Sequence, residues 1–206
     1  MRVAVIADQE LVKCFNDCSG VQLTHHHAIN EIDARPDVIF YLLDEETLPG
    51  GTKTLTAFDC PVIVNAVCTT LDALPERVSR INAWPGFLQR PLKEVVIREA
   101  DKWFLTELFA LFNWQYRFVE DTPGMITARI VAMIINEAWF AYEDGVSTKE
   151  AIDLAMKLGT NYPYGPFEWG SKIGLKKIAS LLTQLSETEP RFTPAPLLIK
   201  SVNPWR

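Results

Sequence analysis

Apolar residues run without a break from Val3 to Ala7 and stop at Asp8, the pattern of a strand buried on both faces. Leu11, Val12, Cys14 and Phe15 then fall near helical spacing, which predicts a helix over Gln9 to Asp17. Val21 to Thr24, Asp37 to Leu43 and Pro61 to Val67 read as three further strands, the link between the first two of these being short. Runs this continuous, separated by helix-length or loop-length spacers, predict a small parallel α/β sheet. A short helix is expected in the segment from Asp72 to Ile81, and Trp84-Pro85-Gly86 marks a break. Glu94 to Ile97 reads as a strand, Arg98 to Phe112 as an amphipathic helix carrying Trp103, Phe104, Leu108, Leu111 and Phe112, and Tyr116 to Val119 as a last strand. The α/β domain is thus expected over residues 1–121.

Thr122-Pro123-Gly124 interrupts both kinds of regular structure, and the period changes after it. Met125, Ile126, Ile130, Met133, Ile134, Ala138, Phe140 and Ala141 form a long helix that is apolar over most of its circumference, suited to the inside of a bundle or to an interface. Asp144-Gly145 terminates it, and Ser147-Thr148-Lys149-Glu150 has the form of a capping box opening a helix that ends at Gly159. A loop over 160–167 and a helix over Leu175 to Leu185 complete a helical-bundle domain, residues 122–206. Repeats and low-complexity tracts are absent from the sequence. The aromatics Tyr162, Tyr164, Phe167 and Trp169 flank proline and glycine, and are expected to pin a loop between helices rather than line a ligand pocket.

A hydrophobic fraction of 48% is enough for a core in each domain. The net charge of −6 is spread without blocks of like charge, which argues against nucleic acid or an anionic membrane surface as partner. The apolar run at the N-terminus is too short for a signal peptide, and none elsewhere approaches the ~20 residues of a membrane span, so a soluble, cytoplasmic protein is expected. Cys14, Cys18, Cys60 and Cys68 sit within apolar patterns, as free cysteines do in a reducing compartment. Cys14 and Cys18 lie one helical turn apart and could join His25 or His27 around zinc, but core packing is the commoner use of that spacing and no metal site is expected. Asp144 and Asp153 have no sequence partner that suggests a metal either.

In order along the second half come Pro123-Gly124, Asn136-Glu137-Ala138, Glu143-Asp144-Gly145-Val146, Ile152-Asp153, Leu158-Gly159, Tyr162-Pro163, Gly165-Pro166-Phe167-Glu168, Ile173-Gly174-Leu175 and Pro194-Ala195-Pro196-Leu197-Leu198. In order and spacing they resemble the C-terminal domain of the 3-hydroxyacyl-CoA dehydrogenases. The resemblance implies a Rossmann domain binding NAD in front of the helical domain, and hydride transfer from a 3-hydroxyacyl-CoA assisted by a His-Glu pair. It also implies a homodimer built through the helical domain, and a role in or near fatty-acid metabolism.

Several family parts are changed. The turn after the first strand is Ala7-Asp8-Gln9-Glu10, with no glycine and two carboxylates where a pyrophosphate must approach. The second strand ends in His25-His26-His27 where the family has a ribose-binding acid. Matching Lys93-Glu94-Val95-Val96 to the stretch bearing the family's catalytic Glu puts Asn82 at the catalytic His position, and an amide cannot act as a general base. Glu94 without its imidazole is expected to be a surface or strand-end acid. Val67-Cys68-Thr69-Thr70-Leu71 resembles the family's substrate segment, leaving Thr70 or Thr69 to offer a hydroxyl, and Ala128 replaces the family's Asn before Arg129. The front domain is also shorter than the family's Rossmann domain, with no counterpart of the insertion that contacts the CoA moiety.

The resulting expectation is a catalytically impaired relative, without cofactor, acting as a dimeric binding or assembly module that takes a small-molecule or acyl-CoA-like ligand. Two alternatives stand beside it. One is an active oxidoreductase using NAD in an altered mode, its helical half shared with another chain. The other is a small-metabolite sensor with Thr69, Thr70 and Asn82 at the strand C-termini.

Overall fold

The computed structural model describes residues 1–15, 18–32, 35–47 and 50–203. The chain divides into two compact units, Met1–Met125 and Ile126–Arg206. In the first, the strands are β1 (Arg2–Ile6), β2 (Gln22–His26), β3 (Val38–Tyr41), β4 (Val62–Val64), β5 (Val78–Ile81), β6 (Leu92–Val96) and β7 (Gln115–Phe118). They form one seven-stranded sheet in the order β2-β1-β3-β4-β5-β6-β7. Every pairing is parallel except β5 with β6. The strand order reverses at β1, which has β2 on one side and β3 on the other, the topological switch of a Rossmann-like sheet.

Alternation along the strands sorts their side chains onto two faces. Val3, Val5, Phe40, Ile63, Ile81 and Val95 face one way, under Leu105, Leu108, Phe109 and Phe112. Ala4, Ile6, Ile39, Tyr41, Val64 and Val96 face the other, with Leu55, Leu71 and Met125. β1, β3 and β4 are covered on both faces, and for that reason they read as nearly unbroken apolar runs.

Local differences from the expected elements have physical causes. The helix after β1, α1, is only Gln9–Val12. Phe15 turns inward beyond it and packs edge-on to Phe40 and Phe112 at 4.9 and 5.2 Å, while the expected end at Asn16-Asp17 lies outside the described residues. The short helix expected over 72–81 is instead a 3-10 turn, Leu71–Ala73, followed by the buried strand β5. Arg80 made that strand look amphipathic, but its side chain is enclosed and the strand sits between β4 and β6. The helix expected from Arg98 is α2 (Lys102–Leu111), because the Arg98 guanidinium is spent on the carbonyls of Leu71, Leu74 and Pro75. β2 runs two residues further than expected and takes in His25 and His26.

The second unit comprises α3 (Thr127–Glu143), α4 (Lys149–Thr160), α5 (Pro166–Ile173), α6 (Leu175–Ser186) and α7 (Pro196–Val202). In α3, Val131, Ala132, Ile135, Ala138 and Trp139 are buried, whereas Ile130 and the preceding Ile126 are exposed, so only part of the expected apolar surface serves the interior of the bundle. Thr148, rather than Ser147, caps α4 by accepting from the Ala151 N–H at 3.2 Å. The helix passes through Gly159 and ends at the left-handed Asn161.

Most of the expected loop over 160–167 is present, but α5 follows it where no helix was expected, because Pro166 at its first turn gives no propensity signal beyond that turn. The cap of α5 comes from a distant helix. Asp153 of α4 accepts the N–H groups of Phe167 and Glu168 at 2.8 and 3.0 Å. Gly165 is required beside it, since a Cβ there would lie 2.4 Å from the Asp153 side chain. The loop aromatics pack internally, Tyr162 and Tyr164 on Trp169 and Phe167 on Trp139.

Lys149 stands at the first turn of α4, where a cation opposes the helix dipole. It is held by aromatic faces instead, with its ammonium 4.2 Å from the Trp139 ring, 4.9 Å from Tyr142 and 5.4 Å from Phe167. Asn136 ties α3 to the chain before α7 by donating to Thr193 O at 2.9 Å and accepting from Ala195 N at 2.8 Å. Among the described residues, no helix is long and apolar enough to cross a membrane.

The Asp153 cap predicts that Asp153→Ala costs about 1–2 kcal/mol. Thermal unfolding followed by circular dichroism should show the loss as a lowered Tm, with Gly165→Ala also destabilising through the clash it creates.

Candidate active site

In a sheet of this order, ligands bind beyond the C-terminal ends of the parallel strands, at the switch point. Here β1 opens into Ala7-Asp8-Gln9-Glu10. Asp8 precedes α1 in extended conformation (φ −67°, ψ 152°) and its side chain caps nothing. A helix of four residues aligns too few peptide dipoles to hold an anion, and none of the four turn residues lacks a Cβ. Glu10 is engaged by Lys13 at 2.5 Å, leaving the Asp8 carboxylate exposed at the mouth of the turn. The ring of His25 closes over the same strand end, its Nε2 2.8 Å from Ala7 O. Because a carbonyl can only accept, that nitrogen carries a proton and donates. His27 lies ring to ring with His25 at 4.9 Å, and His26 contacts the Thr24 hydroxyl at 3.0 Å. These residues do not fit a dinucleotide: there is no backbone cradle, no helix N-terminus of useful length, and no carboxylate on β2 for a ribose.

Asn82 and Glu94 meet across β5 and β6. The antiparallel register pairs Ile81 with Val95, so the next pair is Asn82 and Glu94, and the Asn82 N–H donates to Glu94 O at 3.1 Å. Alternation puts both side chains on the sheet face shared by Val96 and away from that of Ile81 and Val95. Glu94 is buried rather than a surface acid, because β6 is an interior strand with β5 on one side and β7 on the other. The Asn82 amide oxygen accepts from Trp84 N at 3.3 Å. A carboxylate beside an amide can orient and hydrogen-bond a ligand, but the Asn82 amide has no basic nitrogen to take up a proton as an imidazole would.

Thr70 caps the 3-10 turn after β4 and donates its hydroxyl to Asp72, which lowers the Asp72 pKa. It is therefore spent on its own turn. Thr69 stands half-buried beside it. Ala128 is fully buried in α3, where it contributes packing and no polar group. Cys18 donates its thiol to Leu111 O at 2.8 Å, away from His25 on Ala7, and no group of three His, Cys, Asp or Glu side chains among the described residues could hold a metal ion.

Two residues that the sequence reading did not single out organise this edge. Asn65, buried at the end of β4, accepts from Ala83 N at 3.0 Å and donates to Leu42 O at 3.4 Å, stitching the ends of β3, β4 and β5 together. Arg80 is 0% exposed and donates to Ala66 O at 2.8 Å, Val67 O at 2.9 Å and Thr122 O at 3.3 Å, with Asp121 as its ion-pair partner. Asp121 also accepts the Leu71 N–H at 2.8 Å. The sequence signal was an arginine between the apolar Val78 and Ile81.

A Rossmann-like sheet unit is followed along the chain by a helical unit, an order of parts that solved structures share. The (S)-3-hydroxybutyryl-CoA dehydrogenase of Ralstonia eutropha shares the fold, with a TM-score of 0.68 at 20% identity over 88% of this chain and 70% of that one. The 3-hydroxybutyryl-CoA dehydrogenase of Escherichia coli K12 superposes with a TM-score of 0.64 at 25% identity, over 89% of this chain and 43% of that one.

Residues 124–204, which make up nearly all of the helical unit, match the family "3-hydroxyacyl-CoA dehydrogenase, C-terminal domain". By sequence, 3-hydroxyadipyl-CoA dehydrogenase of Escherichia coli (strain K12) is 49% identical over 82 residues, which are 39% of this chain and 17% of that protein. A 3-hydroxybutyryl-CoA dehydrogenase of Bradyrhizobium diazoefficiens is 41% identical over 106 residues, 50% of this chain and 35% of that protein. The chain thus spans about a third or less of the length of these curated relatives.

Arg80→Met removes the ion-pair partner of Asp121 and the donor to three carbonyls, and the expected loss of stability in urea unfolding is about 3 kcal/mol. Arg80→Met combined with Asp121→Asn should cost less than the sum of the single changes, because the second removes the charge that the first strands.

Proposed function

We propose that this protein is a 3-hydroxyacyl-CoA dehydrogenase relative that has given up NAD-dependent redox chemistry and serves as a dimeric binding or assembly module in or near fatty-acid metabolism. The observation that carries the proposal is the turn after β1, where Asp8 and Glu10 stand in place of glycines ahead of a four-residue helix, roofed by His25. A pyrophosphate there would meet carboxylates instead of backbone N–H groups. Replacement of the imidazole by Asn82 removes the general base independently, so both halves of the reaction lose their support.

The dimer part of the proposal draws on α4, none of whose residues is buried. Leu154 and Leu158, one helical turn apart, are 56% and 78% exposed. An apolar pair of this kind suits a self-complementary contact about a two-fold axis. Mass measurement in dilute solution checks it, the expected result being a dimer that Leu158→Glu dissociates. A monomeric wild type would remove the assembly part while leaving the redox part untouched.

A second reading, an active oxidoreductase with an altered cofactor mode, is favoured by the facing positions of Asn82 and Glu94, which keep the frame of a base and its orienting acid. Titration calorimetry with NADH, followed by turnover assays with acetoacetyl-CoA, separates the two. The expected outcome is no saturable NADH binding and no oxidation of NADH, in the wild type and in Asn82→His alike, since restoring the imidazole does not rebuild the cradle. Micromolar NADH binding with turnover abolished by Glu94→Gln would establish the second reading.

A further inference from the structure

Lys93 and Glu94 are neighbours on β6 and so point to opposite faces of the sheet. Glu94 faces the side of Val96, whereas Lys93 faces that of Val95 and borders a cavity of about 550 Å³. The cavity is open to solvent and is lined by Glu10, Lys13 and Cys14 from the α1 segment, Leu88 and Pro91 before β6, and Trp114 before β7, among others. It is therefore separated by the sheet from the Asn82 and Glu94 pair.

The charges around it do not balance. Glu10 and Lys13 pair with each other at 2.5 Å. Burial raises the pKa of Cys14, so its thiol is neutral. Lys93 is only 7% exposed, and its ammonium touches Arg90 O at 2.7 Å, Pro91 O at 3.4 Å and the face of Trp114 at 5.1 Å from the centroid. Among the described residues it has no carboxylate partner. Withdrawal from water depresses its pKa, which is the cost of a cation held by dipoles alone. A buried ammonium at the wall of a ligand-sized cavity, beside apolar Leu88, Pro91 and Trp114, lacks only an anion.

We infer that this cavity is a binding site for a small organic carboxylate, whose anionic end pairs with the Lys93 ammonium while its apolar body lies against Leu88, Pro91 and Trp114. The site stands apart from the reading of the Asp8 turn and does not depend on whether redox activity survives.

The test uses the full chain with benzoate as the probe and benzamide, its uncharged isostere, as the control, both followed by titration calorimetry. Benzoate should saturate the protein below about 10 mM. Benzamide should bind at least about tenfold more weakly, and Lys93→Met should weaken benzoate by a similar factor, while Lys93→Arg retains it. Benzoate should also slow alkylation of Cys14 by iodoacetamide in the wild type, read by peptide mass, a measurement that does not rely on any variant folding. Absence of saturation, equal affinity for benzamide, or unchanged benzoate binding in a folded Lys93→Met protein would each overturn the assignment.

Discussion

A guanidinium removed wholly from water must find an acceptor for its donors, and around Arg80 those acceptors are the chain ends that make up the edge of the sheet. Ala66 and Val67 come from the segment after β4, and Asp121 and Thr122 from the end of the first unit. Gly124, whose N–H donates to Val67 O at 2.8 Å, is drawn into the same knot. The pair is weak as a source of net stability, because the cost of desolvating both charges offsets much of their attraction. Its effect is to fix geometry: one side chain sets where β4 and β5 stop and where the chain leaves the sheet.

The same sheet shows that the fold and a cofactor make demands on different positions. The sheet depends on burying two apolar faces, a demand met by Val, Ile, Phe and Leu on both sides, and this demand is indifferent to the identity of the turn residues beyond β1. Cofactor binding depends on those few positions. Asp8 suits the fold, since it sits exposed in extended conformation, yet its side chain puts a charge of the wrong sign where a phosphate would approach the backbone. Asn82 likewise keeps its strand pairing with Glu94 and lacks only a titratable nitrogen. Structural and chemical requirements are here carried by different atoms of the same residues.

In the helical unit the contacts that matter are polar side chains reaching between helices. Asp153 caps α5, Asn136 anchors the approach to α7, and Lys149 is lodged among three aromatic rings. Such contacts tie each helix to a particular partner, which apolar packing alone does less well. They fall within the motif positions that made this half recognisable: Asn136, Asp153 with Gly165, and Phe167. The resemblance is therefore a record of helix-to-helix contacts.

The amino-acid sequence by itself determined the two kinds of unit, the buried strands β1, β3 and β4 and the long apolar helix, because continuous β-branched runs and helical spacing are local properties of the chain. It also determined what is chemically missing, since the absence of glycine after β1 and of an imidazole at position 82 can be read from residue identity. Tertiary structure alone decided that residues 78–81 are a strand, because Arg80 reads as a surface residue until its acceptors, up to 42 positions away in the chain, are brought around it. It decided that Glu94 is enclosed and faces Asn82, which depends on the register of β5 against β6, and that α1 stops after four residues, which depends on Phe15 finding rings supplied by β3 and the end of α2. It also assembled the Lys93 cavity from three separated segments. A charge's surroundings are a property of the folded chain, and no spacing in the sequence encodes them.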